Sequence, residues 1–204
     1  MIKVLLLIFD PIATWDGILR AQRGIVSILL VYLLPLLLLT SAAEAYGLTH
    51  WGKWEGDISH RKYFSVAEAL IVGAAQVVLS LAVVLVGAKL VKSIGETFHG
   101  QHTYTQAFTT VAYSLGPLFL LRFFDAFTGV WPWATWAIGI VLSVAVLYHG
   151  VPRMMQPDPS HAFGLYVISS LLLALVTAIV RFVTAAYLQG KFPKLEQIFA
   201  GLVA

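Results

Sequence analysis

Five ionisable residues stand within or at the ends of apolar runs: Glu44, Glu68, Arg122, Asp125 and Arg181. Charges there do one of two things. They carry protons, ions or polar substrates, or they pair with one another and lock helices together. Arg122 and Asp125 are three residues apart, so they share a helical face and can pair. Arg181 can reach Glu68 or Asp125 if their helices are neighbours. Glu68, Arg122, Asp125 and Arg181 are therefore the candidate intramembrane polar layer. The lock is the preferred reading, with side chains reaching for the interface as a related one. Arg181→Ala separates the roles. A lock predicts loss of folded protein, and a transport path predicts normal folding with lost flux.

Six histidines raise the question of a metal. His99, His102, His149 and His161 fall towards one face of the membrane, and His50 and His60 flank Glu55 and Asp57. The spacing is loose, there is no H-E-x-x-H, and the chain has no cysteine. No metal site is expected, and the histidines read as solvated and interfacial. No phosphate-binding glycine loop, G-x-S-x-G or hydrolase-like carboxylate pair occurs. No catalytic residue and no cofactor is assigned, and the sequence does not support an enzyme.

The elements that must position these residues follow from composition. Of 204 residues, 59% are hydrophobic and 11% charged, against about 25% charged in a soluble domain. Mean hydropathy is +0.85. This excludes a water-soluble globular protein, a disordered chain and a basic nucleic-acid-binding domain. The net charge of +3 fits the basic bias of cytoplasmic loops.

A spanning helix needs roughly 20 apolar residues. Stretches free of Asp, Glu, Lys and Arg run over 24–43, 69–88, 97–121, 126–152 and 159–180. They predict an all-α, polytopic transmembrane bundle with five spans, at about 24–44, 66–88, 106–128, 131–150 and 163–188. The lipid bilayer is its first partner. The chain reads as a single integral membrane domain over 1–204. Residues 1–23 are juxtamembrane, 24–188 are the bundle and 189–204 a short tail. The link around Gly129 makes the third and fourth spans a tight hairpin. Ala43-Glu44-Ala45 resembles a cleavage site, but the preceding region is too long for a signal peptide, so the first helix is expected to be retained.

In the N-terminal region, Asp10-Pro11 reads as N-cap and first helical position. Ile12, Trp15 and Leu19 share one face of the following helix, with Asp16, Arg20 and Arg23 elsewhere. It is expected to lie in the membrane interface or to pack on the protein's own loops. Arg20 and Arg23 directly precede the first span, which places the N-terminus in the cytoplasm and, after five spans, the C-terminus outside. Trp51, Trp54, Trp131, Trp133 and Trp136 then fall at the outer boundary as an aromatic belt. Pro35 and Pro117 are expected to kink their helices. Small residues four apart (Ala69 and Gly73, Gly139 and Ser143, Ser170 to Ala178) allow close helix approach, within the bundle or in a homo-oligomer.

Two segments carry a resemblance. Asp10-Pro11-Ile12-Ala13-Thr14-Trp15-Asp16-Gly17-Ile18 is similar to the P-x-x-T-aromatic-x-x-I entry segment of the Yip domain family, the Ypt/Rab-interacting proteins. Ala112-Tyr113-Ser114-Leu115-Gly116-Pro117 resembles that family's aYs-x-x-P motif in the third span. The family motif residues are thus Pro11, Trp15, Tyr113, Ser114 and Pro117. The chain resembles the prokaryotic members over about residues 5–188, which implies a prokaryotic inner (cytoplasmic) membrane. Eukaryotic relatives bind prenylated small GTPases through a cytosolic N-terminal region. This chain has about 23 residues before its first span, so small GTPase binding is doubtful. The expected function is a non-enzymatic Yip-type membrane protein: a scaffold, a partner-binding subunit for other membrane proteins, or a membrane-organisation factor. The alternative is a small transporter, channel or lipid-translocating protein that uses the polar layer.

Overall fold

The computed structural model describes residues 2–54, 61–98, 102–158 and 160–188. Seven helices run in chain order: α1 (Ile2–Phe9), α2 (Pro11–Ala21), α3 (Ile25–His50), α4 (Val66–Thr97), α5 (Tyr104–Ala126), α6 (Pro132–Met154) and α7 (Ala162–Leu188). The last five are long and apolar enough to cross a membrane. Two residue pairs, Lys53–Trp54 and Arg61–Lys62, form a minimal antiparallel ribbon between α3 and α4. Gly52 enters it at φ +65°, with the Lys62 carbonyl directly against it; that backbone geometry favours glycine. Glu55, Asp57, His60, His99, the Trp54 side chain and the 189–204 tail lie outside the described residues.

The helices outrun their apolar stretches. α3 continues to His50 and α4 to Thr97. A charge ends a hydropathy window but not a helix. Lys92 and Glu96 pair at 2.9 Å on the last turns of α4, the i,i+4 arrangement that supports a helix. Its 32 residues extend about 48 Å at 1.5 Å each, against ~30 Å of hydrocarbon.

α5 is the centre of the bundle, with 72% of its most apolar window buried. α4 and α6 pack against it, α3 against α4 and the last turn of α5, and α7 against α4 and α6. Pro35 and Pro117 both interrupt regular helix, for one reason. Proline has no N–H to return to the carbonyl four residues back. Before Pro35 the turn widens into a π-helix over Leu29–Leu33. At Pro117 the helix breaks after Ser114 and resumes as Gly116–Leu121, then tightens to a 3₁₀ turn over Arg122–Ala126. The Leu118 N–H donates to Ser143 Oγ at 3.3 Å. Gly139, one turn before Ser143, lets Leu118 close on α6. Gly47 of α3 does the same for the backbone of Ala126, which any Cβ there would overlap.

The N-terminal helices are docked on the protein. Asp10 caps α2, its carboxylate accepting from the Ala13 N–H at 3.3 Å, with Pro11 in the first turn. Val4, Leu7, Trp15 and Ile18 are buried, whereas Ile2, Leu5, Leu6, Phe9 and Ile12 are exposed. Ile12 thus parts company with Trp15. α1 is too short to span, yet folded back beside α2 it buries one face against α5 and α6. Its other apolar face points outward.

Candidate functional site

At the end of the bundle where α3 stops and α6 begins, two buried ion pairs stand side by side. The Arg181 guanidinium holds Asp125 bidentately, Nη1 to Oδ2 at 2.6 Å and Nη2 to Oδ1 at 2.9 Å. Its Nη2 also donates to the Pro132 carbonyl at 2.7 Å. Thr135 Oγ1 lies 2.7 Å from Asp125 Oδ1 and 2.8 Å from the Pro132 carbonyl, able to donate to either. The second pair joins Arg122 Nη2 to Glu44 Oε2 at 2.9 Å. Arg122 Nη1 donates to Ser80 Oγ at 2.9 Å, and Lys53 reaches the other Glu44 oxygen at 3.5 Å. Asp125 is 1% and Glu44 2% exposed. Each carboxylate therefore has its counter-charge at a buried position, where screening is weaker than at the surface.

Every span contributes to this layer: Glu44 from α3, Ser80 from α4, Arg122 and Asp125 from α5, Thr135 from α6, Arg181 from α7. Arg122 and Asp125 each pair across helices, not with one another, because each faces a buried opposite charge on a neighbour. Glu68 has a different place. Ser65 Oγ accepts from the Glu68 N–H at 3.2 Å, and the Glu68 carboxylate accepts from the Ser65 N–H at 2.9 Å. This is the capping box that starts α4. Ser65-x-x-Glu68 before an apolar run was the signal for it, and Ser80 and Thr135 were visible as polar residues in largely apolar helices. A cavity of about 40 Å³ lies beside the pairs, lined by Gln76, Ser80, Thr177, Arg122, Asp125 and Arg181. A wider one of about 420 Å³ lies towards Trp131 and Lys53, against Glu44 and Arg181. Trp51 stacks on Phe127 at 5.1 Å, and Trp133 meets Trp136 edge-on at 5.9 Å, at the same end.

At the opposite, basic end, the two resembling segments meet. Trp15 contacts the Tyr113 ring edge-on at 6.2 Å, and Tyr32 packs on Tyr113 at 4.3 Å. Trp15 Nε1 donates to the Val146 carbonyl at 3.1 Å. Gly150 makes room for the Trp15 ring, and Gly116 for the Tyr32 hydroxyl. Ser114 is fully buried. Asp16 accepts from Arg153 at 3.1 Å, which fastens α2 to α6 a second time.

His102 is buried at this end, its ring against Gly95. Burial holds its pKa below the usual imidazole range; a backbone contact at Lys92 and the Glu96 carboxylate pull the other way, and the Lys92 ammonium adds to the lowering. The fold therefore prefers neutral His102, while the unfolded chain takes up a proton near pH ~6.5. The stability this contributes is full above that pH and is lost as pH falls through the lower folded value. Melting temperature in detergent should drop between about pH 7 and pH 5, with a shallower drop for His102→Leu. Identical pH profiles would refute the assignment. Among the described residues no three His, Asp or Glu side chains gather as a metal-holding group.

Five apolar helices tied through a buried polar layer define a multi-pass α-helical membrane protein. Within that class the chain belongs to the Yip1 domain family, whose profile matches residues 5–181. Comparison with curated proteins and with solved structures returned no match.

Proposed function

We propose that this protein is a non-enzymatic scaffold: a partner-binding subunit or membrane-organisation factor, with its N-terminus on the cytoplasmic side of a prokaryotic inner membrane. One observation carries the reading. The charges at membrane depth satisfy each other laterally across all five spans, beside a cavity of about 40 Å³. On this measure a water needs roughly 10–15 Å³, so the space holds a few waters between charges that are already paired, and the pairing carries the reading. The partners would be other membrane proteins or a second copy. They would dock on the loop regions at the basic end or along α7, whose large apolar side chains Phe163, Leu171, Leu175 and Phe182 are exposed.

The 420 Å³ cavity beside Arg181 and Glu44 is what favours a transporter or lipid-translocating role as the second reading. Purification from native membranes in mild detergent, with identification of co-purifying proteins, separates the two. Stoichiometric recovery of a membrane-protein partner or a homo-oligomer supports the scaffold. A solitary, monodisperse protein that moves ions or lipids across liposomes would overturn it.

A further inference from the structure

A separate cavity of about 280 Å³ opens at the basic end, between the α1–α2 hairpin, the start of α3 and the start of α5. Its size is close to the ~300 Å³ lower bound of small-ligand pockets. Lys3 and Arg23 line it together with Thr103, Gln106, Thr109 and Tyr113, and no carboxylate does. Neither cation has an ion-pair partner among the described residues. The pKa of Lys3 is pushed down by burial, and next by Arg23. Two like charges are therefore held together without a neutralising group. Tyr113 is 1% exposed, and its hydroxyl makes no hydrogen bond among the described residues. Leu5, Leu6 and Phe9 on the outer face of α1 are exposed.

We propose that this cavity binds a phosphate group, with Lys3 and Arg23 as its counter-charges and the Tyr113 hydroxyl as a hydrogen-bond donor. The arrangement fits a singly or doubly charged anion beside Lys3, which is half-buried and so worth more than on an open surface, with the exposed Arg23 as a second cation. The same chemistry is offered by the headgroup of an anionic phospholipid, whose chains would lie along α1, and by free phosphate.

The full chain is tested in nanodiscs of phosphatidylglycerol and of phosphatidylcholine, and in detergent titrated with inorganic phosphate. The readouts are melting temperature and lipid retained on native mass spectrometry. The variants are Lys3→Gln/Arg23→Gln and Arg23→Gln alone, the latter at an exposed position where misfolding is not expected. Arg20→Gln, outside the cavity, controls for surface charge. At ~1 kcal/mol per basic residue near an anionic headgroup, the double variant should bind phosphatidylglycerol about thirtyfold more weakly, and the single about fivefold. Arg20→Gln should bind like the wild type. Stabilisation by phosphatidylglycerol that is lost in the variants establishes the lipid source. Stabilisation by inorganic phosphate alone, lost in the same variants, establishes the free-anion source. No preference in either arm, or equal loss in Arg20→Gln, overturns the proposal.

Discussion

Asp125→Ala should destabilise the folded protein by about 3–5 kcal/mol, the cost of stranding one member of a buried ion pair. Asp125 is held by both Arg181 nitrogens and by Thr135. Without it, the guanidinium keeps the Pro132 carbonyl and no counter-charge. Asp125 itself is 1% exposed, so the carboxylate is lost from a buried position. Arg181→Lys should fall between wild type and Asp125→Ala, because an ammonium cannot make the two-pronged contact. Melting of the purified variants in detergent checks both. A near-wild-type Asp125→Ala would show that this pair does not hold the spans together.

Trp15→Ala should cost a similar ~3–5 kcal/mol, the range for removing a fully buried large aromatic. Trp15 is 0% exposed, fits the space left by Gly150 and touches Tyr113. Its indole N–H also ties α2 to α6 through the Val146 carbonyl. The loss should appear locally as well as globally. With its anchor gone, the α1–α2 hairpin should separate from the bundle, and trypsin should cut at Arg20 and Arg23 much faster than in the wild type. Trp15→Phe keeps most of the ring and loses the hydrogen bond, worth about 1 kcal/mol. It should therefore behave far more like the wild type. Equal damage from both variants would shift the weight from packing to that one bond.

The spans were legible because a run of apolar residues is a requirement of the bilayer and needs no knowledge of neighbours. The Asp10-Pro11 helix start was legible for the same reason, being local chemistry. Helix ends were less so. Lys89, Lys92 and Glu96 closed the apolar window of α4 while its backbone continued through them. The ion-pair layer was half legible. Charges at similar depth marked Arg122, Asp125 and Arg181, but their partners depend on which helices are adjacent. An i,i+3 spacing made Arg122 and Asp125 look like partners for each other, and tertiary packing gave each a better one. Glu68 shows the reverse case: a local capping role claimed a residue that depth alone had put in the layer. The docking of Trp15 on Tyr113, nearly a hundred residues away, left no trace in either segment by itself. The resemblance flagged both, and the packing supplies a reason for their occurring together.

The claim that these charges exist for one another is tested most directly by a double-mutant cycle on Asp125 and Arg181. Asp125→Leu, Arg181→Leu and the double variant are melted beside the wild type in the same detergent. Each single change should cost about 3–5 kcal/mol, and the double should recover most of it, since replacing a whole buried pair by apolar residues is often neutral. Additive losses in the double variant would contradict the account, because each charge would then be serving something other than its partner.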